Sequence, residues 1–154
     1  MNLRTLQRPL AAYTAYAGPI ALMLASVSAS AAPTPNDAKG LWMSGDKGAI
    51  LEFKNCPDTA GALCATIVWD KDAGTALDTC GMLISKLKRY DDDAWRDGWV
   101  FDPRTKKHYK GAVRVNKDSQ PNKLLMRAYI GTEMLGETEG MTRVSAIPAG
   151  CKPR

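Results

Sequence analysis

The 154-residue sequence predicts an all-β fold, a small antiparallel up-and-down barrel of eight strands, on three observations. Short runs of β-branched, aromatic and aliphatic residues recur, each closed by a turn after roughly 8 to 12 residues. Where alternation is clear its period is two: Tyr109, Gly111, Val113 and Val115 share one face of a run, while His108, Lys110, Arg114 and Asn116 share the other. No stretch beyond residue 31 keeps a helical period long enough to carry the crossovers of a parallel sheet. Closing such a sheet removes its exposed edges. An eight-stranded barrel of this size encloses either packed side chains or one small ligand.

The first strand is expected over 40–44, ended by Gly45-Asp46-Lys47-Gly48, and the second over 49–54. A loop with Pro57, Asp58 and Gly61 between Cys56 and Cys64 leads to a third strand over 63–70, on which Ala65, Ile67 and Trp69 share a face. Residues 71–79 lack a period and read as a loop. Further strands are expected over 81–89, 95–102, 107–116, 123–130 and 134–144. Their separators are turn formers: the run Asp91-Asp92-Asp93, Asp102-Pro103, the stretch Asp118-Ser119-Gln120-Pro121, and Gly131. In the seventh run Leu124, Met126, Ala128 and Ile130 fall on one face.

The first 31 residues read differently. Arg4 and Arg8 precede an uncharged stretch over 10–27, densest in apolar residues over 20–25, and Ala29-Ser30-Ala31 supplies a small-residue cleavage site. That order is the pattern of a secretory signal peptide. Gly18-Pro19 interrupts the stretch and argues against a membrane anchor, and no other stretch is long and apolar enough to span a bilayer. Residues 1–31 are therefore expected to be a cleaved leader and 32–154 one domain, periplasmic or secreted. Losing two arginines and no acid reduces the formal charge from +5 to +3. Lys86, Lys88 and Arg89, then Arg104, Lys106, Lys107 and Lys110, are interspersed with acids, so no basic stripe for nucleic acid exists. Weak association with an anionic envelope surface is the most such a face implies.

All four cysteines lie in the expected mature chain. An even number in a small exported domain implies disulfides, and four cysteines allow three pairings. Cys56 and Cys64 flank the base of one hairpin and are expected to pair, leaving Cys80 with Cys151 to pin the C-terminal tail. The spacings of 8, 16 and 71 lack the Cys-x-x-Cys knuckles of a zinc site, so no metal is expected.

Gly40-Leu41-Trp42 opens the first strand and Thr142-Arg143-Val144 closes the last. This resembles lipocalin-like barrels, in which a Gly-x-Trp lies against an arginine that seals one end, a cation over an indole face. The whole order of signals is similar to a family of small exported bacterial proteins classed as a domain of unknown function. It comprises Gly40 and Trp42; Cys56, Leu63 and Cys64; Ile67-Val68-Trp69; Cys80-Gly81; Asp102-Pro103 leading to Tyr109; and Thr142-Arg143-Val144. The resemblance covers about residues 39–144 and implies a lipocalin-like barrel without an established activity. In two places this chain departs from the pattern: Lys106-Lys107-His108 stands where a turn glycine is usual, and Met141 where a tryptophan is usual.

Catalytic material is sparse. His108, the single imidazole, is flanked by lysines and reads as a surface residue, and no Gly-x-Ser-x-Gly is present. Glu133, Glu137 and Glu139 form a carboxylate cluster, with Glu137 and Glu139 expected on the outer face of the last strand. The acids at 91–93 and Asp97 lack the spacing of a calcium loop. The sequence thus leads to a barrel that is not an enzyme, uses no cofactor, and binds a small apolar or amphipathic molecule in the bacterial envelope. Trp42, Trp69, Tyr109, Met126, Met141 and Arg143 are the expected ligand contacts, with Arg143 or another base meeting a polar head. The alternatives are an envelope interaction protein with a filled barrel, and a hydrolase using His108 and carboxylates.

Overall fold

The computed structural model describes residues 31–118, 122–149 and 151. The expected leader, Ala31 apart, lies outside the described residues. Nine antiparallel strands follow one another: β1 Gly40–Met43, β2 Ala49–Asn55, β3 Leu63–Asp70, β4 Leu83–Leu87, β5 Arg89–Asp91, β6 Ala94–Asp102, β7 Lys107–Asn116, β8 Lys123–Tyr129 and β9 Glu137–Val144. Sequential neighbours pair, β1 also pairs with β9, and the ring closes where β4 meets β6. Eight strands form the closed barrel, and β5 is a short extension hairpinned onto β6.

The predicted eight strands are thereby recovered, with two changes of detail. The run expected over 81–89 breaks at Lys88 into β4 and β5, and the hairpin to β6 turns on Asp92 and Asp93, both at positive φ (49° and 56°). Two consecutive left-handed residues make the turn twist match that of its strands. The last strand starts later than expected, because Glu133–Leu135 forms a 3-10 turn whose side chains are not buried. At the closing seam a Cβ on Gly98 would lie 1.8 Å from the Lys86 carbonyl oxygen, so the two strands can approach only over a glycine.

A bulge decides one face. Ile50 pairs with Trp69 and Leu51 with Ile67, so β3 carries one extra residue there. Ala65 and Ile67 stay in the core, whereas Trp69 leaves the interior face. The alternation expected for β7 and β8 is kept: Val113, Val115, Leu124 and Met126 are buried, and His108, Lys110 and Arg114 are exposed.

Trp42, Phe53, Leu63, Leu87, Val113 and Leu124 are fully buried and fill one half of the barrel. A strap of residues 33–39 seals that end. Trp42 Nε1 donates to the Ala38 carbonyl at 2.8 Å, Trp95 Nε1 to Pro35 at 3.1 Å, and Tyr90 Oη to Pro33 at 3.0 Å. Arg143 donates to the carbonyls of Asp37 and Lys39, and its guanidinium carbon stands 4.1 Å from the Trp42 ring centroid. The arginine-over-indole seal that the lipocalin-like resemblance implies is therefore present. Lys117 pairs with Asp37 at 2.8 Å, and this hydrogen bond is the main cause holding the Asp37 carboxyl down at about 2.

Both expected disulfides are formed. Cys56 joins Cys64 across the β2–β3 loop, with Cα atoms 5.0 Å apart, and Cys80 joins Cys151 at 5.3 Å. The second holds the tail along β3, where Cys151 N–H donates to Val68 O at 3.1 Å. No helix among the described residues is long and apolar enough to cross a membrane.

Candidate functional site

The half of the barrel opposite the strap is hollow. A cavity of about 880 Å³ opens among the loops over 44–48, 70–82, 102–106 and 130–136. Its deep wall is apolar and buried: Leu51, Ile67, Ile84, Val100, Met126 and Met141. Period two brings all of these but Ile84 to the inner face, and Ile84 is the extra residue where the β3–β4 register shifts between Ala65 and Thr66. Tyr109, cross-strand from Val100, stands higher in the wall. Met141 occupies the place where the resembling family usually has tryptophan, and a thioether in place of an indole leaves room. Ser85, cross-strand from Ala65 and Val100, is buried with no partner for its hydroxyl among the described residues.

The mouth is built by aspartates that organise their own loops. Asp46 accepts from Ser44 Oγ at 2.7 Å and Gly48 N–H at 2.9 Å, and these bonds, led by the hydroxyl, lower its pKa. Asp70 accepts N–H bonds from Asp72 and Thr79, each at 2.8 Å, together with the Thr79 hydroxyl. Burial pushes its carboxyl up, but these hydrogen bonds outweigh it and the net shift is downward. Asp102 does the same for the β6–β7 turn, accepting from Arg104 N–H and Thr105 Oγ1, both at 2.9 Å. In that turn Lys106 takes a φ of 56°, the left-handed conformation for which a glycine is the ready choice. The departure of this chain from the family pattern thus keeps the turn and strains one lysine.

Glu137 and Glu139 correct the sequence reading. They were expected to face outward, yet they line the cavity, cross-strand from Ala128 and Met126. Glu139 Oε1 accepts from Gly45 N–H at 3.2 Å and so ties β9 to the β1–β2 loop across the rim. The carboxylates bordering the cavity are Asp46, Asp70, Asp72, Asp102, Glu137 and Glu139, against two bases, Lys71 and Arg104. A mouth with that excess is negative on a chain whose formal charge is +5.

Of the six residues expected to touch a ligand, the structure brings Tyr109, Met126 and Met141 together at the cavity. Trp42 and Arg143 belong to the sealed end instead, and Trp69 is turned away by the β3 bulge. Arg143 is engaged with the strap and Trp42, at the end opposite the mouth. His108 lies outside the wall, exposed, its ring 5.0 Å from Trp99 and 4.7 Å from Phe101. The wall separates it from Glu137 and Glu139, so the structure does not assemble the histidine and carboxylate pair that a hydrolase would share. Cys56, Asp58 and Cys64 cluster within ligand distance of one another, but both sulfurs are in a disulfide and offer no thiolate.

Comparison with known proteins agrees with this architecture. The family described as "Uncharacterized protein conserved in bacteria (DUF2147)" matches residues 40–143, and the chain belongs to it. No curated protein matches the sequence. Among solved structures, the chain is similar to one titled "Protein HP1028 from the human pathogen Helicobacter pylori belongs to the lipocalin family". That likeness has a TM-score of 0.51 at 16% identity and covers 70% of this chain and 82% of the other, which is a likeness of fold: a lipocalin-like barrel.

Proposed function

We propose that this member of the family is an exported binding protein whose cavity holds a small apolar or amphipathic molecule in the bacterial envelope. The observation that carries the reading is the cavity of about 880 Å³, apolar at depth and open at one end of a barrel whose other half is solidly packed. Volumes of this order are those of small-molecule pockets, and a few polar groups at the mouth suffice to orient what enters. Burial of the ligand's apolar part against Leu51, Ile67, Val100, Met126 and Met141 supplies the binding energy, at about 25 cal/mol per Å². The excess of carboxylates at the rim favours a polar part that is neutral or positive, where the sequence led to Arg143 or another base meeting a polar head. Export rests on the leader pattern of residues 1–31 and agrees with the two disulfides.

Native mass spectrometry of protein purified from its own envelope, before and after organic extraction, tests the reading. The expected result is a mass excess that extraction removes and that Met141→Trp, which narrows the deep wall of the cavity, reduces. A native mass equal to the bare chain, together with no displacement or uptake of an apolar fluorescent probe by the extracted protein, would overturn it.

A further inference from the structure

One strip of the cavity wall changes character along its length. On β9 the inward side chains run from Met141 at depth through Glu139 to Glu137 toward the mouth, and their cross-strand neighbours on β8 run from Leu124 through Met126 to Ala128. Glu139 is half-buried and accepts from one neutral donor, the Gly45 N–H at 3.2 Å, while Glu137 is exposed and has no hydrogen-bond or ion-pair partner among the described residues. Neither charge is met by a base. The two bases bordering the cavity are placed elsewhere: Arg104 lies 3.5 Å from Asp102, and Lys71 is exposed in the loop over 70–82. A metal ion does not fit this charge, because no three carboxylates of the mouth bring their oxygens within ligand distance of one another among the described residues. An organic cation does.

A second polar feature stands at depth, on β4, the strand opposite β9 in the ring. Ser85 follows Ile84 in the chain and is cross-strand from Val100, and both of those residues line the cavity. Its side chain therefore points inward with that of Val100. Ser85 is 1% exposed and its hydroxyl has no partner among the described residues, an uncommon state for a buried polar group. Carboxylates toward the mouth and a lone hydroxyl at the floor thus border the two ends of one apolar space.

We propose that the cavity selects a cationic amphiphile. Its ammonium head is held by Glu137 and Glu139, its apolar chain lies against Met126 and Met141, and a hydroxyl or carbonyl near the far end of the chain meets Ser85. This rests on the reading of the cavity as a ligand site and names the class of molecule it takes. An ammonium carries both the charge and the N–H donors that two carboxylates on one face accept. Because the pair is partly in solvent, the charge supplies selectivity, and burial of the chain supplies most of the affinity. A phosphate or carboxylate head in the same place would be repelled.

Displacement of an apolar fluorescent probe from the extracted protein by dodecylammonium, dodecyl sulfate and dodecanol, each kept dilute enough not to self-associate, tests the proposal. Dodecylammonium is expected to bind about tenfold more tightly than dodecyl sulfate, although the formal charge of +5 on the chain would by itself draw the sulfate. Added salt should narrow that preference. The pair Glu137→Gln and Glu139→Gln, which keeps an acceptor for Gly45, should erase it and leave dodecanol bound as before. A hydroxyl added to the chain end of the amine should leave its affinity unchanged in the unaltered protein and weaken it about tenfold in Ser85→Ala. Equal binding of amine and sulfate, a preference that survives the double variant, or equal weakening of the hydroxylated amine in both proteins would overturn the proposal. Dodecanol uptake in any of those cases leaves the ligand reading standing, whereas a protein that takes up neither the probe nor any of the chains brings down both.

Discussion

The two ends of the barrel solve opposite problems with different residues. At the sealed end, large rings fill the interior, and indole N–H groups and a guanidinium hold the strap over them. At the open end the interior is left empty, and each loop is organised locally by one aspartate: Asp46, Asp70 or Asp102. Stability is thus concentrated where sequence-distant parts meet in an apolar core. The mouth is shaped by short-range polar bonds that demand little of the rest of the fold, and such regions are the usual home of binding residues.

The contrast is broken most severely at Trp42. Trp42→Ala removes a fully buried ring, its bond to Ala38 and the face on which Arg143 rests, and is expected to cost about 3–5 kcal/mol in a urea titration. A loss below about 1 kcal/mol would show that the sealed end does not carry the core. Asp70→Ala, at the other end, should cost less, about 1–3 kcal/mol, by leaving the N–H groups of Asp72 and Thr79 without their acceptor. Hydrogen exchange should rise over 70–82 and stay unchanged on β8. If it rises throughout, the loop is not the local unit described.

Two smaller effects sharpen the comparison. Lys117→Met removes the partner of Asp37 and should cost about 0.5–1 kcal/mol at neutral pH. The folded carboxyl at about 2 lies below its ordinary 3.8, so its contribution is complete above pH about 4 and is lost as the pH falls toward 2. Acid titrations of the two proteins should converge over that window, and a constant gap would show that the lysine acts through packing. Lys106→Gly relieves a left-handed φ at the open end and is expected to stabilise by about 0.5–1 kcal/mol, visible as a small rise in Tm.

Much of this was legible in the residues. The alternation on β7 and β8 fixed their inner faces, and Cys56 with Cys64 across one hairpin left Cys80 to Cys151. The sealed end followed from the resemblance to lipocalin-like barrels that Gly40, Trp42 and Arg143 carry. Three things were not legible. The β3 bulge adds one residue between Ile67 and Trp69, and one residue reverses a face, so Trp69 could not be placed from period alone. Glu137 and Glu139 look like a solvated face because carboxylates usually are one, and only their pairing with Ala128 and Met126 turns them inward. The 3-10 turn at Glu133–Leu135 hides within an apolar run that reads as strand, since its anchors, Arg96, Arg114 and Arg127, lie on three other strands.

The strap has a kinetic consequence. Its partners lie 57, 60, 104 and 106 residues further along the chain. The strap is therefore expected to dock last, after β9 has closed on β1, because loop closure over such distances must be met before the contacts are gained. Changes to the strap should then accelerate unfolding while leaving the folding rate nearly untouched, which makes residues 33–39 the latch that sets the lifetime of the native barrel.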